Sequence, residues 1–133
     1  MKKLFTLCIA TLCSILMIHA EVLKFNATSL SYKSQNDYGY WSDWSDWKGC
    51  NILVVLNVDA ERIDIYSSST QQYDIYDYSG ETYDDEGGTT QTFKCIDAEG
   101  MRCEVRFRQQ YDGQWQLYVD YADAMWVYNI QRK

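Results

Sequence analysis

Residues 93–121, FKCIDAEGMRCEVRFRQQYDGQWQLYVDY, decide the fold, because two turn sequences separate three stretches in which apolar and polar residues alternate. The middle stretch shows the pattern most clearly. One face would carry Met101, Cys103, Val105 and Phe107, and the other would carry Arg102, Glu104, Arg106 and Arg108. A period of two is typical of a β-strand with one buried face. The region therefore predicts three consecutive antiparallel strands.

The first turn sequence, DAEG at 97–100, fits a type I turn followed by a glycine in the left-handed region. Such a three-residue hairpin loop fixes which residues of the two strands lie opposite one another. The predicted pairs are Asp97 with Met101, Cys95 with Cys103, and Phe93 with Val105. The side chains of the last two pairs then share one buried face.

The second turn sequence, QYDGQ at 110–114, allows two registers. A two-residue Asp-Gly turn would set Arg106 and Arg108 opposite Val119 and Leu117. A bulged three-residue turn would pair Phe107 with Leu117, Val105 with Val119, and Cys103 with Tyr121. Because a slip of one residue exchanges the two faces of a strand, only the bulged turn keeps apolar beside apolar. We predict the bulged turn.

The remaining segments have the same character, since they are rich in valine, isoleucine, tyrosine and tryptophan and are separated by short turn sequences. They are VLKFNATSLSY, NILVVLNV, RIDIYS, QYDIYDY, TTQTFKC and MWVYNI. Helical periodicity is nearly absent. The predicted fold class is all-β, an antiparallel meander of about eight strands that forms a small barrel or sandwich.

Residues 1–20 have the features of a secretory signal peptide: a basic start, an apolar run and Ala20 at the cleavage position. The apolar run is short for a membrane span, which needs about 20 residues. We therefore expect a secreted or periplasmic protein, with residues 21–133 as a single all-β domain that is not inserted in a membrane after cleavage.

Charge and histidine content exclude several functions. Without Lys2 and Lys3 the chain would have 10 basic and 19 acidic residues, which argues against nucleic acid or an anionic membrane as a partner. The one histidine, His19, lies in the leader. Catalysis by Ser-His-Asp or Cys-His, and zinc sites that use imidazole, are therefore excluded for the mature chain. We expect no enzyme activity and no cofactor.

Three cysteines would remain after cleavage, namely Cys50, Cys95 and Cys103. An exported protein tends to pair its cysteines. The hairpin register favours a Cys95–Cys103 disulfide, although this pair falls at a hydrogen-bonded position, where side chains lie further apart. Pairing of Cys50 with either of the others is the alternative.

An acidic, tyrosine-rich stretch at 73–88 does not fit the spacing of an EF-hand loop. We expect a solvated hairpin connection there. The alternative is a calcium site that uses Asp84, Asp85 and Glu86, because calcium prefers carboxylate oxygens.

Aromatic residues are unusually frequent, with twelve tyrosines and five tryptophans in the chain. Both residue types are common in sugar-stacking sites and at the centres of protein interfaces. The alternative role is pairing between strands on the outer face of the sheet. The residues predicted to form an exposed aromatic surface are Trp41, Trp44, Trp47, Tyr66, Tyr76, Tyr78 and Tyr83.

The run WSDWSDW at 41–47 would place its tryptophans on one ridge of an extended chain with three residues per turn, but on alternating faces of a flat strand. Its letters match the WSXWS box of cytokine receptors and the WxxWxxW run of thrombospondin type 1 repeats. The chain lacks the prolines of the first family and the several disulfides of the second. We expect either a ligand platform or indoles that stack on Arg102, Arg106 and Arg108.

The segments WSDWKGCNILVVLNV, ERIDIYS, FKCIDAEGMRC and QLYVDYAD cover about half of the chain after the leader. In these segments the chain resembles small exported proteins of Bacteroides-group bacteria. The resemblance implies export and carries no known activity.

Together these features predict an exported, non-enzymatic binding or interaction module with an aromatic surface, whose ligand is a glycan or a protein. One alternative is a small hydrolase that uses a pair of carboxylates. The other is an inhibitor or structural accessory that acts through protein contacts alone.

Overall fold

The structure, a computed structural model, describes residues 22–133, so the predicted leader lies outside the described residues. This part of the chain forms strands and turns. Its strands are β1 (Val22–Ser34), β2 (Lys48–Asn57), β3 (Arg62–Tyr66), β4 (Gln71–Tyr83), β5 (Thr89–Asp97), β6 (Arg102–Gln109), β7 (Trp115–Asp120) and β8 (Ala124–Arg132). Within residues 22–133 no helix is long and apolar enough to span a membrane.

Each strand pairs in antiparallel fashion with the next one, and β8 pairs with β1 to close the sheet into a barrel. The closing pairing is long and runs from Phe25 opposite Arg132 to Ser34 opposite Ala124. Closure removes the free strand edges at which sheets otherwise associate. The predicted all-β meander of eight strands is confirmed, and of the two predicted architectures the chain adopts the barrel.

Both predicted hairpin registers are confirmed. Cys95 lies opposite Cys103, and Phe107 lies opposite Leu117. The second turn is the bulged one, since the Gln110 N–H donates to the Gln114 carbonyl over 2.8 Å. The glycines of the two turns, Gly100 and Gly113, have φ values of 86° and 89°, in the left-handed region that this turn requires.

Side chains fill the middle of the barrel. The ring of Phe107 lies 5.8 Å from that of Phe25 and 5.9 Å from that of Phe93, measured between centroids. Around these rings pack the fully buried apolar side chains Leu23, Val54, Leu56, Ile63, Ile65, Val105, Leu117 and Val119. A barrel of eight strands is just wide enough for side chains to fill it, which is the case here.

The three cysteines of the described chain are free thiols, so the predicted Cys95–Cys103 disulfide is wrong for this structure. The two residues lie opposite each other at a hydrogen-bonded position, and this position holds the side chains apart. The Cys95 thiol points to the Phe93 carbonyl instead, at 3.8 Å. Burial raises the pKa of Cys103 to about 11, so that thiol is protonated at neutral pH.

The up-and-down order sends alternate connections to opposite ends of the barrel. One end, here called the mouth end, gathers the connections 35–47, 67–70, 98–101 and 121–123. The opposite end gathers the connections 58–61, 84–88 and 110–114. Two surfaces at the mouth end are candidate functional sites: the tryptophan run on the outside and the opening of the barrel itself.

Candidate functional site

The tryptophan run is held against β1 by its serines. The Ser42 N–H donates to the Ser34 carbonyl and the Ser45 N–H donates to the Tyr32 carbonyl, both over 2.8 Å. In return, the Ser34 N–H donates to Ser42 Oγ over 3.1 Å and the Tyr32 N–H donates to Ser45 Oγ over 2.9 Å. Each serine thus satisfies both backbone groups of one β1 residue, which replaces the ladder that a further strand would supply.

The two anchored serines lie three residues apart, which matches the spacing of the tryptophans. Trp41 and Trp44 each precede an anchored serine, and Trp47 follows at the same interval. The serines bond to two β1 residues that are two positions apart, Ser34 and Tyr32. We call Trp41, Trp44 and Trp47 the tryptophan ridge.

Two rings of the tryptophan ridge are held by contacts with neighbouring side chains, and all three rings are partly open to solvent. The Lys33 ammonium lies 5.3 Å from the ring centroid of Trp41 and 4.9 Å from that of Trp44. The Trp44 ring also meets Tyr118 edge to face, at 6.3 Å and 68°. The exposed fractions of the three tryptophans are nevertheless 38%, 40% and 50% in chain order. These contacts orient Trp41 and Trp44, while much of each of the three indoles faces solvent.

The hypothesis that these indoles stack on arginines is wrong, because the cation between them is Lys33. The arginines of β6 have other partners: Arg102 lies over Tyr76, Arg106 lies over Tyr118 and pairs with Asp120, and Arg108 pairs with Asp84. Barrel closure is the physical reason. The serine bonds hold the run beside β1, and closure places β8 and β7 between β1 and β6.

The tyrosines predicted to extend this aromatic surface lie elsewhere. Tyr66 and Tyr83 are exposed on β3 and β4, and Tyr76 is half-buried beneath Arg102. Tyr78 turns inward because a bulge between Ile75 and Asp77 shifts the alternation of β4 by one residue. Its ring packs 5.7 Å from Phe93, so the prediction of an exposed Tyr78 is wrong.

The calcium candidates form the hairpin turn between β4 and β5. Asp84 Oδ1 accepts the N–H groups of Glu86 and Gly88, over 3.0 and 2.8 Å, and Asp84 Oδ2 accepts a hydrogen bond from Arg108 over 3.0 Å. The Arg108 contact is the main reason why the pKa of Asp84 is lowered. Asp85 and Glu86 are exposed, and residues 22–133 contain no group of three or more His, Cys, Asp or Glu residues that could hold a metal ion.

Gly88→Ala should raise the pKa of Asp84 towards its ordinary value while the barrel stays folded. A Cβ at this position would lie 2.5 Å from Asp84 Oδ2 and 2.8 Å from the guanidinium of Arg108, so both side-chain ends must move and the ion pair must open. Carboxylate NMR titration measures the shift. Gly49→Ala is the control, because a Cβ there meets open space. An unchanged Asp84 pKa in Gly88→Ala would contradict the assigned role of Arg108.

The opening of the barrel at the mouth end is a second aromatic site, and the sequence did not predict it. Inward-facing residues at the strand ends leave a cavity of about 350 Å³ above the filled core, lined among others by Gln71, Tyr73, Asp97, Tyr121 and Trp126. The rings of Tyr121 and Trp126 stack at 5.6 Å and 28°. These residues come from β4, β5, the connection after β7, and β8, and only closure brings them together.

Hydrogen bonds link the polar groups across this opening. The Tyr73 hydroxyl donates to Gln71 Oε1 over 2.6 Å, and Gln71 Nε2 donates to the Tyr128 hydroxyl over 3.1 Å. The Tyr121 hydroxyl donates to Asp97 Oδ2 over 2.7 Å, and this bond is the main reason why the pKa of Asp97 is lowered. Burial raises the pKa of both Tyr73 and Tyr121. At neutral pH the opening therefore presents neutral hydroxyls and a charged carboxylate.

Comparison of the chain with protein-family models, with curated proteins and with solved structures finds no match. The geometry of the tryptophan ridge and of the barrel opening is therefore the basis on which a function can be proposed.

Proposed function

We propose that the protein is an exported, non-enzymatic binding module whose tryptophan ridge binds an extended glycan. The observation that supports this function is the ridge itself: three tryptophans at every third residue, each exposed by 38–50%, on a backbone that two serines bond to β1. Export is supported by the leader-like sequence of residues 1–20 and by the resemblance to small exported proteins.

The chemistry of the ridge favours a sugar ligand. An indole is a flat apolar surface that can stack on the C–H face of a sugar ring, and its negative ring face attracts such hydrogens. Asp43 and Asp46 are exposed between the tryptophans and can accept hydrogen bonds from hydroxyl groups. The tryptophans recur at every third residue, and such a repeated row of indoles suits a polymer that itself repeats.

The tryptophan ridge is also preorganised, which favours ligand binding. Ligand binding usually requires surface side chains to become ordered, at about 0.5–1.5 kcal/mol for each flexible side chain. The Lys33 and Tyr118 contacts already fix Trp44, and the serine anchors already fix the backbone. Little of this cost then remains when a ligand binds.

The test is a glycan array probed with the mature chain and with Trp44→Ala. We expect the parent chain to bind a defined set of glycans, and Trp44→Ala to lose about tenfold or more in affinity, because central aromatic residues dominate such interfaces. Tyr111→Ala is the matched control. Tyr111 is an aromatic residue with 83% exposure at the opposite end of the barrel, and its replacement should leave the glycan affinity unchanged.

Other outcomes would overturn this function. Binding that survives alanine at each ridge position would place the glycan elsewhere. Turnover of a carbohydrate panel by the mature chain would favour the carboxylate-dependent hydrolase. Specific capture of an envelope protein, with no glycan bound, would favour the inhibitor or structural accessory.

A further inference from the structure

We propose that the opening at the mouth end of the barrel binds a small amphipathic amine, with its ammonium group beside Asp97 and the Tyr121–Trp126 pair and its apolar part beside Met125 and Tyr128. The proposal concerns a different surface from the tryptophan ridge and does not depend on it.

The opening consists of two adjoining depressions of about 350 Å³ each, which share Gln71 and Trp126. A volume of this size is at the lower end of the range for small-molecule sites, and the mouth of a β-barrel is a common place for one. The filled core beneath it, which begins with the buried Tyr73, restricts a ligand to the opening. The site is therefore shallow and suits a small molecule.

The first depression has the electrostatics of a cation site. Its lining, taken over residues 22–133, contains the carboxylates of Asp97 and Glu99 and no lysine or arginine. Asp97 is held charged and in place by the Tyr121 hydroxyl and by the backbone N–H groups of Glu99 and Met101, which donate to Oδ1 over 2.9 and 2.8 Å. An anionic ligand would meet repulsion from both carboxylates.

The aromatic pair adds to this preference. A cation near the face of a tryptophan or tyrosine ring is attracted by the ring quadrupole, and the attraction grows as water is removed. Trp126 and Tyr121 are each partly buried in the opening, and their stacking fixes the direction of their faces. An ammonium group beside Asp97 would thus meet a full charge in a depression whose lining includes both rings.

The second depression fits the apolar part of the same ligand. It is lined among others by Leu30, Tyr32, Met125 and Tyr128, and among residues 22–133 its one lining cation is Lys33. The Lys33 ammonium already makes cation–π contacts with the indoles of Trp41 and Trp44. It would repel a ligand ammonium at this side and so favour the orientation with the head beside Asp97.

Three probes of nearly equal shape test the charge preference: phenethylamine, phenethyl alcohol and phenylpropionate, at one salt concentration. We expect saturable NMR shifts of the Trp126 indole N–H with the amine. The alcohol should bind about tenfold or more weakly, and the carboxylate should not bind. Equal binding of amine and alcohol, or no shift with the amine, would overturn the proposal.

Asp97→Asn tests the position of the ammonium group. Asparagine keeps an acceptor oxygen for the turn but loses the charge, so amine affinity should fall by about tenfold or more while the fold is kept. Asp84→Asn is the control, because Asp84 accepts the corresponding N–H bonds in the turn at the opposite end. Trp47→Ala should bind the amine as the parent chain does. Equal affinities for Asp97→Asn and Asp84→Asn would contradict the assigned role of Asp97.

Discussion

Phe107→Ala is expected to lower the free energy of unfolding by about 3–5 kcal/mol. Phe107 is fully buried at the centre of the barrel, where its ring meets Phe25 and Phe93. The walls of a closed barrel are tied by hydrogen bonds on both sides of every strand, so they can collapse only little into the cavity that alanine leaves. Because the free energy of unfolding of a domain of this size is about 5–15 kcal/mol, this one substitution can remove a large part of it.

Urea denaturation followed by tryptophan fluorescence gives the measurement. Phe107→Leu should lower the free energy of unfolding by less than Phe107→Ala, since leucine retains most of the buried volume. Tyr111→Ala, at an exposed turn position, should stay within about 0.5 kcal/mol of the parent chain. A loss below about 1 kcal/mol for Phe107→Ala would mean that the core repacks, and it would contradict the rigid filled interior described above.

Alkaline pH should unfold the barrel, with a loss on the order of 5 kcal/mol of stability by about pH 11. Burial raises the pKa of Tyr73, Tyr128, Cys95 and Cys103 above the ordinary values of these groups. The unfolded chain releases these protons at about pH 9–10, whereas the folded chain retains them. Stability is therefore full below about pH 9 and falls as the pH rises towards the folded pKa values.

The slope of the unfolding free energy against pH shows how many buried groups cause the alkaline unfolding. Each group that is ionised only in the unfolded chain lowers stability by about 1.4 kcal/mol per pH unit, so several buried groups together give a steep decline. Urea melts between about pH 7 and 11 measure the slope, and phenolate absorbance separates tyrosines that titrate normally from those that do not. Tyr73→Phe should reduce the slope. A stability that stays flat to about pH 11 would contradict the burial of these hydroxyls and thiols.

The two proposed sites share one end of the barrel but differ in what fixes them. The tryptophan ridge lies outside the sheet and depends on serine bonds to β1. The opening lies inside the ring of strands and depends on tyrosine, glutamine and aspartate side chains that reach across it. Lys33 lies between them, because it contacts the indoles and also lines the second depression. Variants that leave Lys33 and its two indole contacts in place, such as Asp97→Asn and Trp47→Ala, therefore test the two sites separately.

Local chemistry let the sequence determine the strands and the register of two hairpins. The turn sequences at 97–100 and 110–114 each fix a register within a few residues, and the alternation of 101–107 then assigns the inner and outer faces. The same reasoning failed at Tyr78, because the bulge after Ile75 shifts the faces of β4 and no glycine or proline at that point announces it.

Only the tertiary structure decided barrel against sandwich, the surroundings of the tryptophans and the existence of the opening. The barrel, the opening and the contact of Trp44 with Tyr118 depend on the pairing of β1 with β8, which joins residues about a hundred positions apart and has no local signature in the chain. The sequence by itself determined that Trp41, Trp44 and Trp47 recur every third residue beside anchoring serines. The tertiary structure determined that these serines bond to β1, that Lys33 rather than an arginine lies beside Trp41 and Trp44, and that closure brings Tyr118 against Trp44.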